Sequence, residues 1–467
     1  MQTDTLSPTA TFSKPAYERK LDELFSHYEE GKRIFIDAAD WTHVPRVKPE
    51  SENATIEVGG KRRPIPTHWL DVAETAFSIL SHEKYGLKTY ANEIRVIGPR
   101  EMMSAYASVG MPNFYAHWSF GRELKKMEEQ YNHGQMGLAY EIVINSDPSI
   151  AFCMRDNNKM MQMLVIAHAC FGHNSFFANN HMFTQFTDPT QIIPQLRALQ
   201  NYVHECEEKH GVYAVENLLD AAHALQNHGV NRTDKHNPLT PQEIEERRRR
   251  ALRAFQENYD PVFEGTMPRS GDKPRDAFDV LAQQKYINLG GEENLLHVVA
   301  TKAPDLQEWQ RTLLLMVSGV AQYFYPQRQT QVMNEGWATF WHHTLMNDLH
   351  DYGAISGGMM LDFNISHTNV TAQPPFNSKY YSGINPYALG FAMYKDIQRI
   401  CTDPTEEDRK YFPRIAGNQD WVGTLKHACQ NFKDESFVMQ YLSPKMARDF
   451  KLFSVEDDDR KDYMFVS

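Results

Sequence analysis

The chain has 467 residues, 41% of them apolar, enough for one large core or for two to three domains. Lys and Arg number 48 against 60 Asp and Glu, and the net charge of −12 argues against non-specific nucleic-acid binding as the main task. No run reaches the roughly 18 apolar residues of a membrane span, and the first twenty residues lack the basic-then-apolar order of a signal peptide. Cys153, Cys170, Cys206, Cys401 and Cys429 are scattered and form no Cys-x-x-Cys pair, which points to a reducing, cytoplasmic setting.

In chain order, residues 1–15 are rich in Ser, Thr and Pro and are expected to be disordered. "AYERKLDELFSHYEEGKRIF" reads as one exposed helix. "ATIEVGGKRRPIP" alternates about Gly59-Gly60, a hairpin signal. "THWLDVAETAFSILSHEKYG" reads as an amphipathic helix burying Trp69, Val72, Ala73, Phe77 and Leu80. "NEIRVIGP" is a strand, "REMMSAYASVGM" and "FGRELKKMEEQYNHG" are helices, and "LAYEIVINSDP" is a strand ending in a turn. Residues 157–177 and 190–228 read as helices. Residues 230–290 are polar and punctuated by Pro and Gly. The run "PQEIEERRRRALRAF" neutralises itself, because Glu243, Glu245 and Glu246 each precede an arginine by four positions. This stretch is read as a charged helix and linker between an N-terminal part, 16–229, and a C-terminal part, 291–467. The latter is helical again and closes with two strands, "FKLFSV" and "YMFVS", about an acidic turn.

Two stretches carry chemistry. In "AHACFGHNSFF", His168 and His173 are five apart, which on a regular helix turns the rings roughly 140° away from each other. They meet only if the helix holds a π-bulge or ends near Gly172; otherwise they are satisfied core histidines. A zinc protease would read His-Glu-x-x-His here, but Ala169 stands where that glutamate would be. In "MNEGWATFWHH", Glu335 and His342 are seven apart and share a helix face over the small Ala338 and Thr339, while Trp337, Phe340 and Trp341 face the core. A buried Glu and His are costly unless paired or ligated, so either a Glu–His hydrogen bond or a metal is expected.

Together the stretches resemble zinc peptidases of the gluzincin class, which take two histidines from one helix and a glutamate from a later Asn-Glu-Gly-aromatic-Ala helix. The chain departs from that class in lacking the base glutamate and in placing about 160 positions between His173 and Glu335. Glu141, on the alternating strand, is a candidate displaced base, or an edge-strand carboxylate paired to an arginine such as Arg122. His367 and Tyr387 are candidate donors to an oxyanion, or local turn and cap residues. His117 reads as structural.

The blocks "HWSFGRELKK", "GLAYEIVINSDPSIAF", "AHACFGHNSFFANN", "QTQVMNEGWATFWHH", "HTNVTAQPPFNSKYYSGINPYALGFAMYKDI" and "FKDESFVMQYLSPK" lie between residues 117 and 445. On them the sequence resembles the stage V sporulation protein R (SpoVR) family, in its enterobacterial and pseudomonad branch. The resemblance implies a link to spore cortex formation and, in bacteria that do not sporulate, to starvation and stress response beside a serine kinase of the PrkA type. It implies no biochemical activity. The chain also ends sooner than the family's pattern leads one to expect.

The expectation is therefore an α+β, mainly helical cytoplasmic protein with a zincin-like, gluzincin-related metal-site core. Zinc would be held by His168, His173 and Glu335, with His342 as fourth ligand or behind the ligands. An open coordination position would support amide or peptide hydrolysis. The competing expectation is a non-enzymatic regulator or scaffold acting with the kinase system, its His/Glu cluster closed and structural.

Overall fold

The computed structural model describes residues 14–108, 110–111, 114–132, 141–232, 293–453, 455–456 and 465–466. The expected disordered tail before residue 14 and the charged helix and linker from residue 233 lie outside the described residues. The chain divides into two compact units, one formed by Met1–Ala198 with Pro326–Ser467, the other by Leu199–Tyr325. Both motif-bearing stretches belong to the first unit. Much of the long interval between His173 and Glu335 is thus the second unit, inserted in the chain of the first.

The first unit opens with helix α1 (Ala16–Ser26), which buries Leu21, Leu24 and Phe25. The expected single helix through residue 35 is broken. Gly31 takes a left-handed φ of 56°, and Glu29 N–H and Lys48 N–H bond Arg46 O and His27 O, so this backbone pairs across to residues 46–48 instead. A short helix, α2 (Ile34–Asp37), follows. The hairpin forms as its glycines direct: β1 (Thr55–Val58) pairs antiparallel with β2 (Lys61–Pro64), and Gly59 and Gly60 take φ of 58° and 74°, the positive pair that a tight twisted turn needs. Helix α3 (Trp69–Ile79) buries Trp69, Val72, Ala73 and Phe77, and Leu80 follows in a π turn.

A three-stranded sheet has the order β3 (Asn92–Ile97), β5 (Ser149–Met154), β4 (Glu141–Ile144). β3 runs parallel to β5, and β4 runs antiparallel to it, with Glu141 opposite Cys153. Helices α4 (Pro99–Ala107) and α5 (Trp118–Asn132) lie between β3 and β4 in sequence. His117 is buried just before α5, its Nδ1 2.7 Å from the Ser119 hydroxyl. The central strand β5 is absent from the sequence reading. All six of its residues are buried, so it lacks the alternation that marks a half-exposed strand.

A continuous helical run then crosses the core: α6 (Lys159–Ile166), a π-helix over Ala167–His173, and α7 (Asn174–Asn179). Asn158 starts it by accepting from Met161 N–H. Short α8 (His181–Phe186) and α9 (Ile192–His210) follow. In the second unit, α10 (Val212–Leu225) and α11 (Leu295–Lys302) bury Val215, Leu219, Leu296 and Ala300, and the Ser318 hydroxyl on α12 (Glu308–Gln329) joins Asn294 to Gly229 O.

Back in the first unit, α13 (Gln331–Tyr352) is the long motif helix. The Asp434 carboxylate caps its start, accepting from Val332 N–H and Met333 N–H at 2.9 and 2.8 Å. Gly353, at φ 88°, ends it. Around it lie α14 (Gly357–Val370), α15 (Pro386–Thr402), α16 (Glu406–Tyr411), α17 (Trp421–Asn431), α18 (Asp434–Tyr441) and α19 (Pro444–Asp449). Trp337, Phe340 and Trp341 sit in the core as the helix face predicts. Two close approaches fix α13. A Cβ on Gly172 would lie 2.5 Å from the Ala338 Cα, and one on Gly336 would lie 2.3 Å from Gly390 C. The small residues of "NEGWA" are therefore contact points for the π-helix and for α15.

β6 (Val455–Glu456) and β7 (Phe465–Val466) pair antiparallel; the second expected strand contains β7, whereas residues 450–453 of the first are turn and irregular backbone and, among its described residues, only Val455 is strand. The fold is α+β and mainly helical. Among the described residues no helix is long and apolar enough to cross a membrane, and the five cysteines are free and buried.

Candidate metal centre

The five-residue spacing of the histidines is accommodated by the π-helix. Each of its turns takes one residue more than an α turn, so positions five apart return to one face. The His168 and His173 rings stand 4.6 Å apart and nearly perpendicular. α13 packs along this segment and turns Glu335 and His342 toward it. Glu141, the first residue of β4, enters from the sheet.

Glu141, His168 and His173 offer donor atoms that all lie within 4.8 Å of one another. Glu141 Oε1 is 3.1 Å from His168 Nε2 and 3.9 Å from His173 Nε2; Glu335 Oε2 is 3.8 and 3.5 Å from the same two atoms. In a tetrahedral zinc site with bonds of about 2.0–2.1 Å, donors stand roughly 3.3–3.4 Å apart. The donor set therefore fits a transition metal in size as well as in chemistry. The Glu335 contacts are too long for hydrogen bonds. Glu141 Oε2 and Glu335 Oε2 are buried with no hydrogen-bond partner, a costly state that a cation would relieve. The carboxylates are not sealed in, each side chain being 19% exposed.

The outer nitrogens of both histidines are held. His173 Nδ1 lies 2.9 Å from Asn334 Oδ1. A carbonyl oxygen only accepts, so His173 Nδ1 carries a proton and Nε2 is the nitrogen turned toward the cluster. His168 Nδ1 lies 2.8 Å from His342 Nδ1, and His342 Nε2 lies 2.9 Å from His367 Nδ1. Burial pushes His168 and His367 down to about 4 and His342 well below its ordinary value. Burial, with the neighbouring Glu335 charge, pushes the Glu141 carboxyl well above the usual range. Burial acts the same way on Glu335, but the histidines, His173 foremost, outweigh it and hold that carboxyl low. The Tyr387 ring stacks 6.4 Å from His168, and its hydroxyl faces Glu335. Burial and the two carboxylate charges push that hydroxyl far up, so it stays protonated.

The structure thus gathers Glu141, His168, His173 and Glu335 at one point, with Tyr387 beside them. His342 lies behind His168, both of its nitrogens engaged by histidines, and His367 lies one ring farther out. Glu141 meets the histidines. Arg122, considered as its ion-pair partner, lies over the Trp118 ring. Asn334 was not singled out in the sequence, although it precedes Glu335 in the same motif. Nor was Tyr106, whose hydroxyl donates to Glu141 O and so ties α4 to the strand that carries the carboxylate.

A family model described as SpoVR like protein matches residues 69–467, which include every residue of the cluster. Uncharacterized protein YcgB of Escherichia coli (strain K12) is 51% identical over 383 residues, covering 82% of this chain and 74% of that protein. No solved structure matches. With the family model spanning both histidine- and glutamate-bearing stretches and half the residues shared with YcgB over most of the length, the chain belongs to the SpoVR-like family.

Proposed function

We propose that the chain is a zinc-dependent hydrolase acting on an amide or peptide bond. The observation that carries this reading is the convergence of two imidazoles and two carboxylates, from the π-helix, α13 and β4, at a partly open point. His168, His173 and Glu335 are the ligands in this reading. Glu335 suits the role because it stands at similar distances from both histidines on a helix fixed by two backbone contacts. Bound zinc would supply Lewis acidity and lower the pKa of a water in its open position.

Glu141 is then the base. In this reading it stands 3.1 Å from His168 Nε2, takes the proton of the attacking water and passes it to the leaving nitrogen. Tyr387, held protonated, donates to the oxygen that gains charge as the carbonyl is attacked. This is zincin-like chemistry with the base moved from the histidine helix to a strand.

A second reading is favoured by one distance. Glu141 Oε1 comes to 3.1 Å of His168 Nε2, as close as a co-ligand would. Glu141 would then close a four-protein-ligand structural site, and the protein would act as a regulator or scaffold, with a starvation-linked serine kinase as the partner.

The two readings part on Glu141→Gln. For a base, the variant keeps zinc near the wild-type level and loses roughly 100-fold or more in the rate of zinc-dependent cleavage, followed by mass spectrometry on a peptide mixture. For a fourth ligand, zinc affinity itself falls. A wild-type protein loaded with zinc that cleaves nothing in the mixture, together with weakened binding in Glu141→Gln, overturns the hydrolase reading.

A further inference from the structure

Behind the cluster runs a row of three imidazoles from three helical segments: His168 on the π-helix, His342 on α13 and His367 on α14. The two contacts between them measure 2.8 and 2.9 Å. Each joins two ring nitrogens, so one nitrogen must carry a proton and the other a bare lone pair. The rings are buried, at 3%, 1% and 8% exposure, and a neutral imidazole carries one ring proton. A row of three neutral imidazoles joined this way has only two arrangements. When His168 Nε2 gives its lone pair to a cation, one remains. His168 carries its proton at Nδ1 and donates to His342 Nδ1; His342 carries its proton at Nε2 and donates to His367 Nδ1.

The far end is held in place. The His367 ring stacks on Phe363, with centroids 5.7 Å apart and planes 27° apart, and meets Phe391 edge-on at 4.8 Å. The acceptor is therefore fixed in direction as well as in kind. The choice of imidazole over carboxylate also has a reason. Metal-bound histidines are commonly backed by a carboxylate or a carbonyl. Here two carboxylates already stand at the cluster, and a third buried negative charge would be costly. A neutral acceptor orients His168 without that cost. His173 follows the same rule through the neutral Asn334.

We propose that His342 and His367 are positioning residues that hold His168 with Nε2 bare toward the cluster, so that metal affinity is set in part from His367, one ring removed from any donor. This rests on the metal-centre reading above.

The test is zinc affinity by chelator competition on the full chain, in wild type, His367→Leu and His367→Asn. Leucine and asparagine have nearly the same shape, and only asparagine offers an oxygen where Nδ1 accepted. His367→Leu is expected to weaken zinc binding by about 10- to 100-fold, and His367→Asn to recover to within about threefold of wild type. The metal-free thermal midpoints of the two variants should agree. Equal zinc affinity in wild type and His367→Leu overturns the positioning role alone, as does a His367→Asn protein that binds as weakly as His367→Leu. A wild-type chain that takes up no zinc fails the metal-centre reading and the relay with it. Should His367→Leu not fold, the imidazole 15N spectrum of the zinc-loaded wild type decides: protons at His168 Nδ1 and His342 Nε2 support the relay, and the reverse pattern overturns it.

Discussion

Glu335→Gln is expected to leave the chain folded and its centre without zinc. The amide nearly matches the carboxylate in volume but is a weak, neutral donor. Structural zinc is held by about 10–16 kcal/mol. One donor in four then carries roughly 2.5–4 kcal/mol, a 100- to 1,000-fold loss of affinity. The metal-free protein should change little, within about 1 kcal/mol, because the favourable histidine and Tyr387 contacts of the Glu335 carboxylate are opposed by its burial and by the Glu141 carboxyl beside it. The signature is thus selective. Zinc is expected to raise the thermal midpoint of the wild type by preferential binding to the folded state, and that rise is expected to disappear in the variant while the metal-free midpoint stays. Zinc retained at the wild-type level in Glu335→Gln would remove this residue from the donor set.

Gly390→Ala is expected to cost about 3 kcal/mol in stability, at the upper end for overpacking, and to disturb the centre at the same time. The new methyl would lie 2.1 Å from Val332 O, 2.7 Å from Gly336 Cα and 3.0 Å from Gly336 N. All three obstacles are main chain of α13, which Asp434 caps and the core surrounds, so no side chain can swing aside. Alanine's better helix propensity, about 1 kcal/mol, offsets only part of the clash. α13 carries Asn334, Glu335 and His342, and α15 carries Tyr387, so helices pushed apart here separate the cluster from its neighbours. Gly319→Ala is the control. Nothing lies within 4 Å of its added Cβ, and it should stabilise by about 0.5–1 kcal/mol. Urea denaturation of both variants measures the difference; a Gly390→Ala protein within 0.5 kcal/mol of wild type would show that the helix crossing yields easily.

Local periodicity made parts of this structure readable in the sequence. The buried face of α3 and the core face of α13 follow from the helical repeat, and Gly59-Gly60 allows only a tight hairpin. The histidine spacing of five already required an irregular helix for the rings to meet, and a π-helix is what the chain adopts. Other features depend on partners distant in sequence. β5 has neighbours on both sides and buries every residue, so it shows no alternation. The break after α1 comes from pairing with residues 46–48. Glu141 was visible as a carboxylate on a strand, but its approach to the histidines depends on its register against β5 and on α6 leading into the π-helix. The position of His367 behind His342 depends on how α13 and α14 pack, which a reading of each helix alone does not contain. The long interval between the motifs is largely residues 199–325, a unit that the composition of that stretch did not mark as apart.

The most direct test of the metal centre is the metal content of the purified full-length chain, by elemental analysis, with X-ray absorption at the edge of the metal found. Close to one equivalent of a transition metal is expected, zinc foremost, with a first shell of two imidazole nitrogens and carboxylate oxygen at about 2.0–2.1 Å. A folded protein that holds no transition metal as isolated, and none after reconstitution with zinc, would contradict it.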